Sequence, residues 1–347
     1  MTNIKRYIEE TVHTIHIDDK MSMNINVNHK RVEIHKRVEI HEKKSKVFTT
    51  FKKFILIVAM AALMLVYPYS GLNSIHLTTK ILQDSMVRKI VQYKLRDELI
   101  HWVEWKNNCV LPVNITSLYN SFQQLVCPGS NAIDVGANSG DTTVGIAAAT
   151  EGGITYAYEP HPKSFHILQL LHKINPRLHL KIFNIALMNE TNKDMWWNGL
   201  GDGCNGNIQK SSCGNQSSNC IKIKSENVES HLKTLSHSFV TKLSFIKVDT
   251  EGNDHNILRG MKNTILKVVR PLIKIEWYIN FKKCERNAKD IFRAVTHIGY
   301  VPYGYKPGMK LDELKPVNCK RYFPDLLLIP KEWNIKDKGI KICPNVI

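Results

Sequence analysis

The sequence predicts an α/β domain, a mostly parallel seven-stranded sheet with helices on both faces, preceded by an N-terminal transmembrane helix. Three observations carry this. From Asn131 onward, short apolar runs alternate with helical segments. The first run enters a glycine turn that opens a helix, Ala132-Ile-Asp-Val-Gly-Ala-Asn-Ser-Gly-Asp141. Acids stand at or next to the carboxyl ends of four runs, at Asp134, Glu159, Asp249 and Glu276. Ligands of such sheets bind at strand carboxyl ends, and four acids gathered at one edge are costly without a ligand that uses them.

Residues 1–53 are polar and lack a convincing apolar period, so they read as a flexible cytoplasmic tail. Lys30-Arg-Val-Glu-Ile-His35 repeats as Lys36–His41, and two copies fall short of the roughly three repeats a solenoid needs. Phe54 to Val66 is unbroken apolar sequence, extended to Leu72 through Tyr67-Pro-Tyr69. That length just suffices for a spanning helix, which takes about 17–25 residues. Lys43, Lys44, Lys46, Lys52 and Lys53 precede it, and the next base is Lys80. The positive-inside rule then predicts a single-pass type II protein, its bulk in the lumen of the Golgi or endoplasmic reticulum. A cleaved signal peptide is the alternative, set against a tail far longer than a usual n-region.

Two further features agree with that topology. The pattern N-x-[ST] occurs at Asn114, Asn189 and Asn215 and never before the apolar run. All eight cysteines (Cys109, Cys127, Cys204, Cys213, Cys220, Cys284, Cys319, Cys343) also follow it. Their even number fits disulfides in an oxidising compartment. Zinc at Cys204, Cys213 and Cys220 is weaker because no C-x-x-C pair occurs, and buried thiols are the third reading. The net charge of +17 is scattered, and no nucleic-acid signature accompanies it, so no nucleic-acid partner is expected.

Residues 73–127 read as a stalk and lead-in, with Ile81, Val87, Ile90, Val91, Leu95, Leu99 and Trp102 on one helical stripe. A main domain spans 128–335 and a tail 336–347. Its predicted elements are strand Ile133–Val135, helix Thr142–Ala149, strand Ile154–Tyr158, helix Pro162–Ile174 and strand Leu180–Ala186. A Gly-, Asn-, Ser- and Cys-rich insertion at 189–222, read as disulfide-tied, interrupts the alternation. Strand Leu243–Val248, helix Asp254–Lys267, strand Leu272–Ile275, helix Asn287–Ile298 and a hairpin of Tyr300–Tyr305 with Asp325–Ile329 complete the domain.

The glycine turn lacks G-x-G-x-x-G, and no G-x-x-x-x-G-K-[ST] loop occurs, so phosphate-cradling cofactors are disfavoured. Its spacing, Asp134-x-Gly136-x-Asn138-x-Gly140, resembles the first motif of class I S-adenosylmethionine-dependent methyltransferases. Together with Tyr158-Glu-Pro160, Asn184-Ile-Ala186, Ile246-Lys-Val-Asp-Thr-Glu-Gly252 and Leu258-Arg-Gly260, it resembles the FkbM-like methyltransferase family over residues 131 to about 280. Asp254 stands where that family usually has Glu.

The resemblance implies a Rossmann-like class I methyltransferase fold and S-adenosylmethionine as cofactor. Asp134, Gly136, Asn138, Gly140, Asp141, Glu159 and Ala186 would hold it, with Glu159 gripping both ribose hydroxyls. A hydroxyl acceptor needs a general base. Asp249 is the first candidate, then Glu251, with Glu276 and His255 after them. N-capping is the alternative for Asp249, and Asp254 is better placed for that. His161 reads as a surface residue, with a place facing the adenine as the alternative. Trp196, Trp197 and Trp277 suit sugar stacking or core packing equally. No compact Asp/His cluster is visible, so no metal is expected. The expected activity is O-methylation of a glycan or related secretory-pathway hydroxyl. Alternatives are a lipid or small-molecule acceptor at the membrane, or a non-catalytic glycan-binding protein that keeps the fold.

Overall fold

The computed structural model describes residues 15–17, 23–27, 30–34, 80–84, 87–95, 98–105, 114–190, 195–199, 206–209, 220–261, 265–276, 295–310 and 324–333, with positions 263, 293 and 314. The apolar segment 54–72 and most of the expected helix Asn287–Ile298 lie outside these. Among the described residues no helix is long and apolar enough to cross a membrane.

Within the segment read as a flexible tail, β1 (Ile15–Ile17), β2 (Met23–Val27) and β3 (Lys30–Ile34) form an antiparallel sheet in that order. The first copy of the repeat supplies β3. Met23-Asn-Ile-Asn-Val27 alternates with the strand period of two, which a search for longer patterns passes over. The expected helical stalk is also corrected, because β4 (Val87–Leu95) and β5 (Glu98–Trp105) pair as a two-stranded sheet. Its apolar positions fit a helical stripe, but Ile90, Val91, Tyr93, Trp102 and Val103 are β-branched or aromatic and prefer a pleated surface.

The larger unit follows. Helix α1 (Ile115–Gln123) starts at the N-cap Asn114, whose side chain accepts from Ser117 N–H at 3.0 Å. Then come β6 (Asn131–Val135), α2 (Asp141–Ala149), β7 (Thr155–Tyr158), α3 (Pro162–Ile174) and β8 (Leu180–Phe183). The apolar run expected as one strand to Ala186 breaks after Phe183, and β9 (Ala186–Met188) belongs to a separate pair. Within the insertion, β10 (Met195–Gly199), β11 (Gly206–Gln209) and β12 (Cys220–Ile223) form an antiparallel sheet of order β11-β10-β12. β13 (Ser225–Asn227) pairs with β9 in parallel. The chain continues through α4 (Val228–Lys233), α5 (His237–Thr241), β14 (Leu243–Val248), α6 (Asp254–Gly260), a π-helical turn Ile265–Val269, β15 (Leu272–Glu276), β16 (Tyr300–Tyr305) and β17 (Asp325–Pro330).

Seven strands make the main sheet, in the order β16-β17-β15-β14-β6-β7-β8. β15, β14, β6, β7 and β8 run parallel, and β17 is antiparallel to β15 and β16. β6, β7, β14 and β17 are buried along their whole lengths, as expected where helices cover both faces of a parallel sheet. One face packs Ile133, Val135, Ile246, Val248, Ile273 and Ile275 into a single core with Leu258 and Leu266. The predicted helix to Lys267 stops at Gly260. A Cβ there would meet Val228 Cγ1 at 2.6 Å and Met188 O at 2.8 Å, so α6 is seated against β9 and α4 and the chain turns away.

Cys127 and Cys220 are each disulfide-bonded. The other six cysteines lie outside the described residues, and with them the expected tie across the insertion.

Candidate functional site

The loop β6–α2 is shaped by what approaches it. Gly136 has φ +78°, and a Cβ on it would lie 1.8 Å from the carbonyl oxygen of Asp249. Only glycine lets the end of β14 pass this close. Gly136 and Ala137 N–H both donate to Tyr158 O at 3.0 Å. Asp249 N–H donates to Val135 O and Glu159 N–H to Phe183 O, each at 3.0 Å. The ladder thus continues past the strand ends and fixes Asp249 and Glu159 at one edge of the sheet.

A cleft at that edge is lined by Gly136, Asn138, Asp141, Glu159, Ala186, Asp249, Glu251 and Glu276, among others. Eight of the ten expected site residues therefore meet there. Asp134 and Gly140 do not line it. Asp134 is fully buried beneath, accepting from Thr142 Oγ1 at 3.1 Å and Thr143 Oγ1 at 2.7 Å, and paired to Lys247 Nζ at 3.3 Å. Its carboxylate ties down the first turn of α2. Gly140 (φ +92°) is the α2 N-cap, and a Cβ there would meet Leu171 and Leu168 of α3 at 2.5 and 2.7 Å. Both residues shape the loop from behind.

Glu159 is 6 % exposed. Its Oε2 accepts from Asn138 N–H at 2.8 Å and its Oε1 from His161 N–H at 2.7 Å. Burial pushes its carboxyl up to about 7, against the pull of those two amides. Each oxygen keeps a second lone pair. Asn138 Oδ1 is buried and has no hydrogen-bond partner among the described residues, which leaves an acceptor beside Glu159 in want of a donor.

His161, expected on the surface, is fully buried. It caps α3, its ring accepting from Ser164 N–H, and lies against Trp197 with ring centroids 4.3 Å apart. Trp197 and Ile208 bring the insertion to the cleft wall. Trp277 lies outside the described residues. His255 follows Asp254 in the first turn of α6 and does not line the cleft.

At the other end stand the acids. Asp249, Glu251 and Glu276 each place a carboxylate oxygen within 4.8 Å of the others, so together they could hold a metal ion. Sequence spacing does not show this cluster, because β15 delivers Glu276 from a separate strand. Burial would raise Asp249, but Lys247 and then Lys274 outweigh it and hold the carboxyl low. Glu276, hydrogen-bonded to Asp249, is pushed up to about 8 by burial and the neighbouring acids. Glu251 is raised by burial and by Asp249. Asp254 accepts from Thr250 N–H and Oγ1, both at 3.3 Å, and so holds the turn after Asp249.

Lys247 was hidden in the sequence. It is 2 % exposed and bridges Asp134 to Asp249, whose Oδ2 lies at 3.2 Å. Its burial alone would lower its pKa, but three acids more than reverse that. A lysine inside an apolar strand reads as a stray solvent residue, and its partner Asp134 is 113 positions away.

The family model described as the methyltransferase FkbM domain matches residues 134–302. No curated protein matches the chain. Solved structures are similar at low identity. A precorrin-6y C5,15-methyltransferase from Geobacter metallireducens GS-15 is 10 % identical, covers 64 % of this chain and 89 % of its own, and has a TM-score of 0.35. A putative rRNA methylase from Clostridium thermocellum is 9 % identical over 63 % of this chain and 95 % of its own, at 0.35. An S-adenosylmethionine-dependent O-methyltransferase from Thermotoga maritima is 9 % identical over 70 % and 78 %, at 0.34. Residues 134–302 match the methyltransferase FkbM domain, and the chain is an S-adenosylmethionine-dependent methyltransferase.

Proposed function

We propose that the chain methylates a hydroxyl of a glycan or related secretory-pathway acceptor, with Asp249 as general base. The observation that carries the chemistry is the pairing of Asp249 with Glu276 at one end of the cleft. One carboxyl is held ionised by buried lysines and its neighbour holds a proton, so Asp249 presents a directed acceptor to a hydroxyl.

The cleft suits the cofactor on its own terms. Glu159 offers two aligned lone pairs for ribose hydroxyls, Asn138 Oδ1 lacks a donor, and Asp141, Asp249 and Glu251 provide negative charge for an ammonium and a sulfonium. Bound there, S-adenosylmethionine supplies a methyl group on a positive sulfur that leaves readily. The protein's part is orientation and proton removal. Gly136 and Asn138 shape the floor, Glu159 fixes the ribose and Ala186 borders the cleft. Asp249 takes the hydroxyl proton as the acceptor oxygen gains carbon. Glu276 steadies Asp249 through their shared hydrogen bond, and Glu251 stands at the rim.

A lumenal setting is supported by the lysines before residues 54–72 and by sequons and cysteines only after them. In this reading 54–72 anchors the chain as a type II membrane protein. Asn114 is exposed at a helix cap, a setting open to glycosylation.

The test is to incubate the purified full chain with methyl-labelled cofactor and a glycan array, then expose the products to mild alkali. Label that survives alkali, and that Asp249→Asn abolishes, supports an ether-forming transfer to sugar hydroxyls. Label on no glycan would sink the acceptor class, and full activity of Asp249→Asn would sink the base.

A further inference from the structure

The sheet order gives the cleft two chemically different ends. Asp249 and Glu276 follow β14 and close β15, whereas Glu159 and Ala186 follow β7 and β8. From β15 across β14 and β6 to β7 is three strand spacings, about 14 Å. The acidic end suits the sulfonium and ammonium of the cofactor. The other end is apolar, with Trp197, Ile208, Ile185 and Met188 on its wall. Trp197 is 4 % exposed and packs with Ala186 and Met188 in one cluster that Ile208 flanks. It also lies against His161, two residues beyond the carboxylate assigned to the ribose.

With ribose on Glu159 and the charged arm toward the acids, the base has only the apolar end left to it. We infer that the insertion sheet β10–β12 is a cofactor clamp, in which Trp197 and Ile208 form the wall against the adenine ring. In this arrangement Trp197 is a cofactor-binding residue and not a sugar platform. The packing explains the placement. β10 pairs with both β11 and β12 through Trp197, opposite Ile208 and Ile221, so one strand carries the indole and anchors its support.

The inference rests on the assignment of Glu159 to the ribose, and calorimetry can separate the two. The full chain would be titrated with S-adenosylhomocysteine, which carries base, ribose and amino-acid arm, and with adenosine, which lacks the arm. Loss of a base–aromatic contact predicts that Trp197→Ala weakens both ligands by about tenfold or more, by the same factor, with Trp197→Phe largely restoring them. Ile208→Ala, at a half-buried position less apt to disturb the sheet, should weaken both by a few fold. Unchanged affinity in Trp197→Ala and Ile208→Ala, with binding lost in Glu159→Ala, overturns the clamp and leaves the ribose assignment standing. Unchanged affinity in Glu159→Ala overturns the assignment beneath it. Weaker S-adenosylhomocysteine with unaltered adenosine would place Trp197 on the amino-acid arm and also overturn the inference.

Discussion

Lys247 and Asp134 form an ion pair almost wholly out of water, Nζ to Oδ1 at 3.3 Å, with side chains 3 % and 0 % exposed. The pair joins β14 to β6 at register partners and, through Thr142 and Thr143, secures the start of α2. Removing one partner strands the other as a buried charge, which costs about 3–5 kcal/mol. Lys247→Met should lower unfolding free energy by that amount in urea denaturation. Lys247→Met with Asp134→Asn should recover part of the loss, since Asp134 no longer leaves a buried charge and Asp249 keeps Lys274 nearby. Additive losses would show that the two charges do not depend on each other.

Gly136 and Gly252 both have positive φ, yet their surroundings differ. At Gly252 (φ +100°) a Cβ would meet nothing within 4 Å, whereas at Gly136 it would collide with Asp249 O. Gly252→Ala should therefore cost only the left-handed backbone penalty, about 1–2 kcal/mol. Gly136→Ala must push β14 away from β6 and should cost well over that, with loss of S-adenosylhomocysteine binding. Comparable denaturation midpoints for the two variants would refute the close approach.

How far these relationships could be read in advance depends on sequence distance. β6, β7 and β14 are legible because both their faces are buried and apolar residues predominate in their runs. Helix α3 matches its expected Pro162–Ile174 bounds because a proline at the first turn marks the start without ambiguity. The acids at the strand ends follow from the same runs. What the chain order conceals is juxtaposition: Lys247 against Asp134, Glu276 against Asp249, and Trp197 against His161 are all brought together by the sheet. The β4–β5 pair is concealed for another reason, since Val87, Val91, Leu95 and Trp102 fit a helical period as well as a strand one.

Glu159 makes the cofactor affinity pH-dependent. Burial raises its carboxyl to about 7, and only the ionised form offers every lone pair to ribose hydroxyls. As pH falls through 7, a proton competes with the ligand, so affinity declines below that pH. For a group titrating near 7, S-adenosylhomocysteine should bind about tenfold more weakly at pH 6 than at pH 8. Glu159→Gln should bind weakly at both, with no such slope. A wild-type affinity independent of pH between 6 and 8 would mean that Glu159 is ionised throughout.

Glu276 bears on stability in the opposite direction. Its folded carboxyl, at about 8, lies far above the ordinary 4.5, because burial and the charges of Asp249, Glu251 and Asp254 disfavour ionisation. A group raised on folding contributes fully below its unfolded value, and that contribution is lost as pH rises through its folded value. Ligand-free protein should thus melt at progressively lower temperature from about pH 5 to pH 9. Glu276→Gln retains an N–H donor toward Asp249 and cannot ionise, so its melting temperature should fall less over the same range. The two curves should converge below about pH 5, where Glu276 is protonated in both the folded and the unfolded chain, and separate progressively up to about pH 8. Parallel curves across the whole range would place the shared proton elsewhere in the acidic cluster, with Asp254, itself raised to about 7, as the next carboxyl to replace by its amide.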